Sequence, residues 1–450
     1  MAEQIFSYSE TELAAVAERL LVLAAAGGAT AAEADVSEGC GQNVSVRLGE
    51  VETIEYNRDK GVSLTVYLGQ QKGHASTSDF SEQALADTVA AALNIARYTM
   101  GDDCAGLADP ALLLQAGQRR DLDLYHPWDL PVDDAIALAR ECEDAARAAD
   151  PRITNSEGGT VTTHATRHCY ANSHGYSGSL TTSRHSLSAA VVASGDDSMQ
   201  RDYWYTTARH AGDLLSAAEV GRMAGERTVR RLNARRVKTG QYPVIFEAPV
   251  AGSLLSHLVQ AVSGGSLYRK SSFLLDSLGK QVAAPLLDVY EDPFVLRGLA
   301  SGCADDEGVA TVARQFIDKG VLQGYFLASY SARKLGMQST GHAGGPHNLL
   351  VRPTLAGGLQ ALLARMGTGL LVTELMGQGI NLVTGDYSRG ASGFWVENGV
   401  IAYPVEELTI AGNLRDMLQG IDAIGDDVDT RGSRHIGSVL LSPLMVAGEA

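Results

Sequence analysis

The stretch Asn43-Val-Ser-Val-Arg-Leu-Gly-Glu-Val-Glu-Thr-Ile-Glu-Tyr56, continued by Val62-Ser-Leu-Thr-Val-Tyr-Leu68 and His74-Ala-Ser-Thr77, decides the fold class. Short runs of β-branched residues separated by Gly and Asp/Lys turns predict strands over 43–48, 51–56, 62–68 and 74–77. Before them, residues 11–26 carry apolar side chains at helical spacing, and Ser9 stands three residues ahead of Glu12 as a capping box. After them, residues 81–98 return to helical spacing with strong helix formers. Helix, antiparallel meander and helix make an α+β unit.

The pattern recurs downstream. Residues 101–127 read as a Gly/Asp/Pro connection and 132–149 as an amphipathic helix rich in Ala, Arg and Glu. Residues 153–205 are full of Thr, Ser, Val and Tyr, with turns at 157–159, 172–175 and 195–197, and a helix over 214–232 follows. Arg230, Arg231, Arg235, Arg236 and Lys238 close that helix, where cations complement its carboxyl end. Beyond Gly240, residues 243–247 predict a buried strand and 250–262 a helix. Most of 305–450 reads as short strands joined by glycine turns. The expected division is an amino-terminal α+β domain (1–106), a middle α+β domain (107–240) and a β-rich carboxyl-terminal domain (241–450).

The chain has 450 residues, 36 Lys or Arg against 53 Asp or Glu, and a formal charge of −17. So acidic a surface repels phosphate backbones, which argues against direct nucleic-acid binding. With 45% hydrophobic and 20% charged residues, the composition is that of an ordinary globular protein. Five scattered cysteines without a CxxC pair fit a reducing compartment. No signal peptide is visible in residues 1–10, and 13–26 is too short and too charged to span a bilayer. The expectation is a cytoplasmic protein without membrane contact.

Catalytic motifs are sparse. No Gly-x-Ser-x-Gly elbow, Rossmann fingerprint or phosphate loop occurs, and no histidine is followed by Glu as helical metalloproteases require. His164, His168 and Cys169 lie in a β-branched run, where four residues separate the two rings by roughly 13 Å, too far to share a metal. A glycine-rich loop, Ser339-Thr-Gly-His-Ala-Gly-Gly-Pro-His347, can bring His342 and His347 together. With carboxylates such as Asp305, Asp306 or Glu374, these histidines define an alternative, self-sufficient metal site. Glu374-Leu-Met-Gly-Gln-Gly379 and Thr384 to Gly399 form alternating strands with small residues, leaving room for an extended peptide to lie alongside by strand addition.

Several segments together resemble the PmbA/TldE branch of the TldD/TldE (modulator of DNA gyrase) family. They are Arg97 to Gly106, Ser173-His-Gly175, Arg184-His-Ser-Leu187, Gly264 to Lys280, Ser329 to Gly336, Ser339 to Gly345 and Glu374 to Gly399. The resemblance implies a heterodimeric metalloprotease that cleaves small or unfolded peptides, in peptide maturation and antitoxin degradation. Its TldD-type partner holds zinc on a His-Glu-x-x-x-His helix, with a cysteine near its carboxyl end. Laid on that motif, this chain reads Ser256-His-Leu-Val-Gln-Ala261, so Ser256 and Ala261 replace the ligands and His257 the base. Gly432-Ser-Arg-His-Ile-Gly437 has no cysteine. The resemblance therefore implies no catalytic residue and no metal or other cofactor in this chain, with zinc in the TldD-type catalytic subunit of a heterodimer. It leaves open a homodimer in isolation and a regulatory binding module. The candidate peptide-chamber residues are His342, His347, Glu374, Asp386, Tyr387 and Arg389.

Overall fold

The computed structural model describes residues 5–195 and 198–449. Asp196 and Asp197, in one of the predicted turns, lie outside the described residues, as do residues 1–4 of the stretch read for a signal peptide.

The first part of the chain runs α1 (Glu10–Ala26), β1 (Ala31–Arg47), β2 (Glu50–Leu68), β3 (Gln71–Thr77) and α2 (Glu82–Tyr98). The second repeats that order as α3 (Val132–Ala148), β4 (Ile153–Asn172), β5 (Ser177–Ser194), β6 (Met199–Ala208) and α4 (Ala217–Arg230). The capping box at Ser9 and Glu12 forms as expected: the Ser9 N–H donates to Glu12 Oε2 at 2.7 Å and the Glu12 N–H to Ser9 Oγ at 3.2 Å.

The strands differ from the short ones predicted. β1 and β2 are continuous: β1 starts at Ala31 rather than at 43, with Gly39 and Gly41 as packing positions inside it, and β2 runs through residues 57–61, where an Asp/Lys/Gly turn is expected. A Cβ on Gly41 would stand 2.6 Å from the Thr163 carbonyl of β4, and one on Gly39 would stand 2.7 Å from Asp59. The two meanders join through antiparallel β1–β4 pairing into one six-stranded sheet, β3-β2-β1-β4-β5-β6. That order relates the halves by an approximate twofold axis across the β1–β4 seam. The sheet carries α1 and α2 over one half, packed on Val36, Leu64 and Val66, and α3 and α4 over the other, on Val161, Leu187 and Val191. Each half seats a helix directly on a strand glycine. A Cβ on Gly73 would lie 2.0 Å from the Ala92 carbonyl of α2, and one on Gly159 would lie 2.1 Å from the Ala139 carbonyl of α3.

The rest of the chain supplies β7 (Gly240–Phe246), α5 (Ala248–Ala261), α6 (Gly264–Tyr268), β8 (Val289–Asp292), β9 (Arg314–Asp318), β10 (Val321–Leu322) and α7 (Ser329–Lys334). There follow β11 (Asn348–Val351), α8 (Gly358–Met366), β12 (Gly369–Met376), β13 (Ile380–Asn381), β14 (Asp386–Glu397) and β15 (Val400–Asn413), then α9 (Leu414–Gln419), β16 (Ile421–Ile424), β17 (Arg434–His435) and β18 (Val439–Ala447). Pairings β12–β7, β7–β18, β18–β15, β15–β14 and β14–β12 close a small barrel. Alternate residues of β7 reach two cores, as the strand period requires: Val244 and Phe246 join the core that holds Leu254 and Leu258 of α5, and Ile245 joins the one that holds Leu362 and Met366 of α8. A second sheet, β10-β9-β8-β11-β17, flanks α5. The α+β class with a β-rich carboxyl-terminal region is as expected.

Two arginines stitch the sheet and its connector to this region. Arg333 donates to the carbonyls of Cys104, Gly106 and Leu107 at 2.9, 2.6 and 2.9 Å. Arg209 donates to those of Ser183, Gly298 and Leu299 at 3.1, 3.1 and 3.0 Å. Among the described residues, no helix is long and apolar enough to cross a membrane.

Candidate functional site

Helix α5 begins at the end of β7, where Pro249 sits in its first turn and the Ala248 N–H donates to Ser438 Oγ at 3.0 Å. The three motif positions on this helix face different surroundings. Ser256 turns its hydroxyl onto its own helix, donating to the Gly252 carbonyl at 3.0 Å. Ala261 is fully buried and offers only its carbonyl, which accepts from Ser272 Oγ at 2.6 Å. His257 packs edge-on against Tyr387, with 6.0 Å between ring centroids. Burial, helped by the nearby charge of Arg389, lowers the imidazole to about 4. Burial also pushes the Tyr387 phenol up to about 12. Neither His257 Nε2 nor the Tyr387 hydroxyl has a hydrogen-bond partner among the described residues.

Ser256 opens onto a cavity of about 480 Å³ between α5, the edge of the six-stranded sheet and the barrel. Arg227 of α4 and Trp204 of β6 line one side, Glu374 and Arg389 of the barrel another, and Arg431 and Arg434 a third. Most charges here are matched. Arg227 pairs with Glu247 at 3.1 Å and approaches Asp202 at 3.5 Å, while Arg231 pairs with Glu374, which also accepts from Ser392 Oγ at 2.9 Å. Arg431 grips Asp429 with two nitrogens, at 2.9 and 2.8 Å, and lies over the Trp204 ring at 3.9 Å. Arg434 faces α5 at Gly252, where a Cβ would stand 3.8 Å from its own Cβ. The segment where the resemblance expects a cysteine therefore lies beside the helix where it expects the histidines.

The predicted chamber residues fall into separate groups. Glu374 and Arg389 line this cavity, Tyr387 supports His257 beneath it, and Asp386 is exposed, accepting from Thr384 Oγ1 at 2.6 Å and Asn413 Nδ2 at 3.3 Å. His342 and His347 line a different place, and the glycine loop does bring them together, with ring centroids 5.6 Å apart. The group they meet is Glu291, buried on β8, and nitrogen and oxygen atoms of all three lie within 4.8 Å of one another. Glu291 is already occupied. It accepts from Arg314 Nε at 2.7 Å, lies 2.9 Å from His342 Nε2 and accepts from the His347 N–H at 2.8 Å. Burial would raise this carboxyl, but His342, Arg314 and the His347 N–H outweigh it and hold Glu291 well below the usual carboxylate range. Asp305 accepts from the N–H groups of Glu307, Val309 and Ala343, and burial nevertheless pushes it up to about 7. His168 pairs across the sheet with Asp35, and His164 turns to Thr166 at 2.9 Å.

Sequence reasoning missed Glu291, Trp204, Arg227, Arg431 and Arg434. The basic run after α4 was visible as helix-end cations, but Arg227 and Arg231 turn inward to carboxylates that only the fold brings near.

Family models for the PmbA/TldA metallopeptidase match residues 32–96 (domain 1), 125–232 (central domain) and 239–448 (carboxyl-terminal domain). A Haemophilus influenzae protein named Metalloprotease PmbA homolog is 51% identical over 439 residues, covering 98% of this chain and 97% of the relative. The crystal structure of a Bacteroides thetaiotaomicron protein described as a modulator of DNA gyrase is 28% identical, with a TM-score of 0.91 over 96% of this chain and 98% of that one. TldE from Thermococcus kodakarensis shares the fold, with a TM-score of 0.84 at 20% identity over 96% of this chain and all of that one, 100%. The chain belongs to the PmbA/TldD family of metallopeptidases.

Proposed function

We propose that this chain is the non-catalytic, TldE-type subunit of a TldD/TldE-type protease, cytoplasmic, with its carboxyl-terminal domain from about residue 241 forming the partner interface and one wall of the peptide chamber. The observation that carries this reading is helix α5. A zinc site needs several lone-pair donors converging within about 2 Å of one point. Ala261 has none to offer, Ser256 is turned onto its own helix, and His257 faces a buried tyrosine with a cation nearby. These residues do not fit the metal that the family uses. The contribution left to the chain is binding and orientation of an extended peptide, which raises reaction rate by holding the scissile bond where a partner's chemistry acts.

Elemental analysis and peptidase assays on the purified chain, alone and mixed with its TldD-type counterpart, test this. The expected result is no stoichiometric zinc and no cleavage alone, and cleavage in the mixture that survives His257→Ala. Stoichiometric zinc in the isolated chain, with cleavage that His257→Ala abolishes, would sink the proposal. A second reading, a self-sufficient metal site, draws on the Glu291, His342 and His347 cluster. Arg314 weakens it, because a guanidinium already neutralises the one carboxylate and repels a second cation.

A further inference from the structure

The cavity beside α5 holds more positive charge than it has acceptors for. Its carboxylates are engaged, Asp202 and Glu374 with Arg227 and Arg231, and Asp429 with Arg431. Two lining arginines remain. Arg434 makes no side-chain hydrogen bond or ion pair among the described residues, and its Nε is buried without a partner. Arg389 makes one long bond, from Nη2 to the Leu375 carbonyl at 3.4 Å, and its Nε is likewise buried and unpaired. A third lining donor, Trp204 Nε1, is buried and unpaired as well. Buried donors are almost always satisfied, and a guanidinium withdrawn from water without a counter-charge is costly. In a chain of net charge −17, where acidic partners are plentiful, two unmatched arginines on one cavity call for an anion from outside.

From this geometry we infer that the cavity binds a carboxylate of an extended peptide, either its terminal carboxylate or an acidic side chain. A guanidinium fork matches the two oxygens of a carboxylate, and such charge-assisted pairs are the strong ones. The volume of about 480 Å³ is large enough for a peptide segment. The inference deepens the non-catalytic reading by naming what the subunit holds, and it places the anchor where the family's metal motif has decayed: Ser256 lines the cavity and Arg434 stands against α5.

Calorimetric titration of the full chain with three hexapeptides tests it: a neutral sequence as the free acid, the same sequence amidated, and an amidated version carrying one internal Glu. At least one acid-bearing peptide binds tenfold or more tightly than the neutral amide. The free acid winning identifies the terminus as the source, and the internal Glu winning identifies a side chain. Arg434→Gln and Arg389→Gln each reduce that preference, and together they abolish it. The neutral amide binding as tightly as both acids, or an acid preference that survives the double substitution, overturns the inference. The comparison of peptides on the unsubstituted chain stands even if a variant folds poorly. Because it is read without partner or zinc, it can fail while the non-catalytic reading holds, and the reverse.

Discussion

A buried charge that has several partners is costly to unmake, and Glu291 is such a group. Glu291→Gln leaves Arg314 and His342 facing a neutral amide and is expected to cost about 3 kcal/mol in urea unfolding. Its folded-state acidity is stronger than its unfolded-state acidity. The stabilisation is therefore complete above the ordinary value of about 4.3 and disappears as pH falls through the folded value. The parent should lose stability below about pH 4.3 more steeply than the Gln variant. His257 makes the opposite case, since its buried Nε2 has no partner. His257→Phe keeps the edge-on contact with Tyr387 and removes an unsatisfied buried nitrogen, so thermal unfolding at pH 7 should be unchanged or raised. Burial and Arg389 lower this imidazole to about 4, which means the folded state resists protonation. The parent is thus penalised as pH falls from about 6.5 toward 4, and the advantage of the Phe variant should widen over that window.

At the scale of elements, the two glycine seats under α2 and α3 make equivalent demands. Gly73→Ala and Gly159→Ala each drive a methyl into a helix carbonyl, and each should cost about 1–3 kcal/mol or more by urea titration. Ala substitutions at the exposed Gly28 and Gly175, where a Cβ meets nothing within 4 Å but the φ angles are +92° and +87°, report backbone strain alone and serve as the comparison. These seats also explain what the sequence could and could not tell. Helices were legible because their signals are local: 214–232 and 250–262 were expected, and Ala217–Arg230 and Ala248–Ala261 form. The long strands were not, because a glycine chosen for close packing looks in sequence like a glycine chosen for a turn. At the site, the degenerate motif on α5 could be read residue by residue. Glu291, however, sits in Val289-Tyr-Glu-Asp292, which reads like any surface strand until His342, His347 and Arg314 arrive from distant segments.

For the molecule as a whole, the stitches at Arg209 and Arg333 join ion pairs such as Arg227–Glu247 and Arg231–Glu374 in tying the sheet to the carboxyl-terminal region. Arg209 spends two donors on backbone carbonyls of the carboxyl-terminal region and a third on Ser183 of its own sheet, and Arg333 spends three on the connector. The double substitution Arg209→Ala, Arg333→Ala removes both and leaves those carbonyls without donors. Calorimetry should then resolve two unfolding transitions where the parent shows one; a single, merely lowered transition would show that the halves are coupled elsewhere. Both substitutions leave the cavity beside α5 without a changed residue, so peptide binding to the isolated chain should be retained.

The β1–β4 seam has a consequence for how the chain is made. Glu33 pairs with Asn172 and Val46 with Gly159, so β1 is complete on the ribosome roughly ten seconds before its neighbour emerges, at ordinary elongation rates. Throughout that interval the first meander presents its innermost strand as a bare edge. A nascent chain paused before residue 153 is thus the form most open to edge-to-edge association, and slowing translation across 101–152 lengthens that exposure.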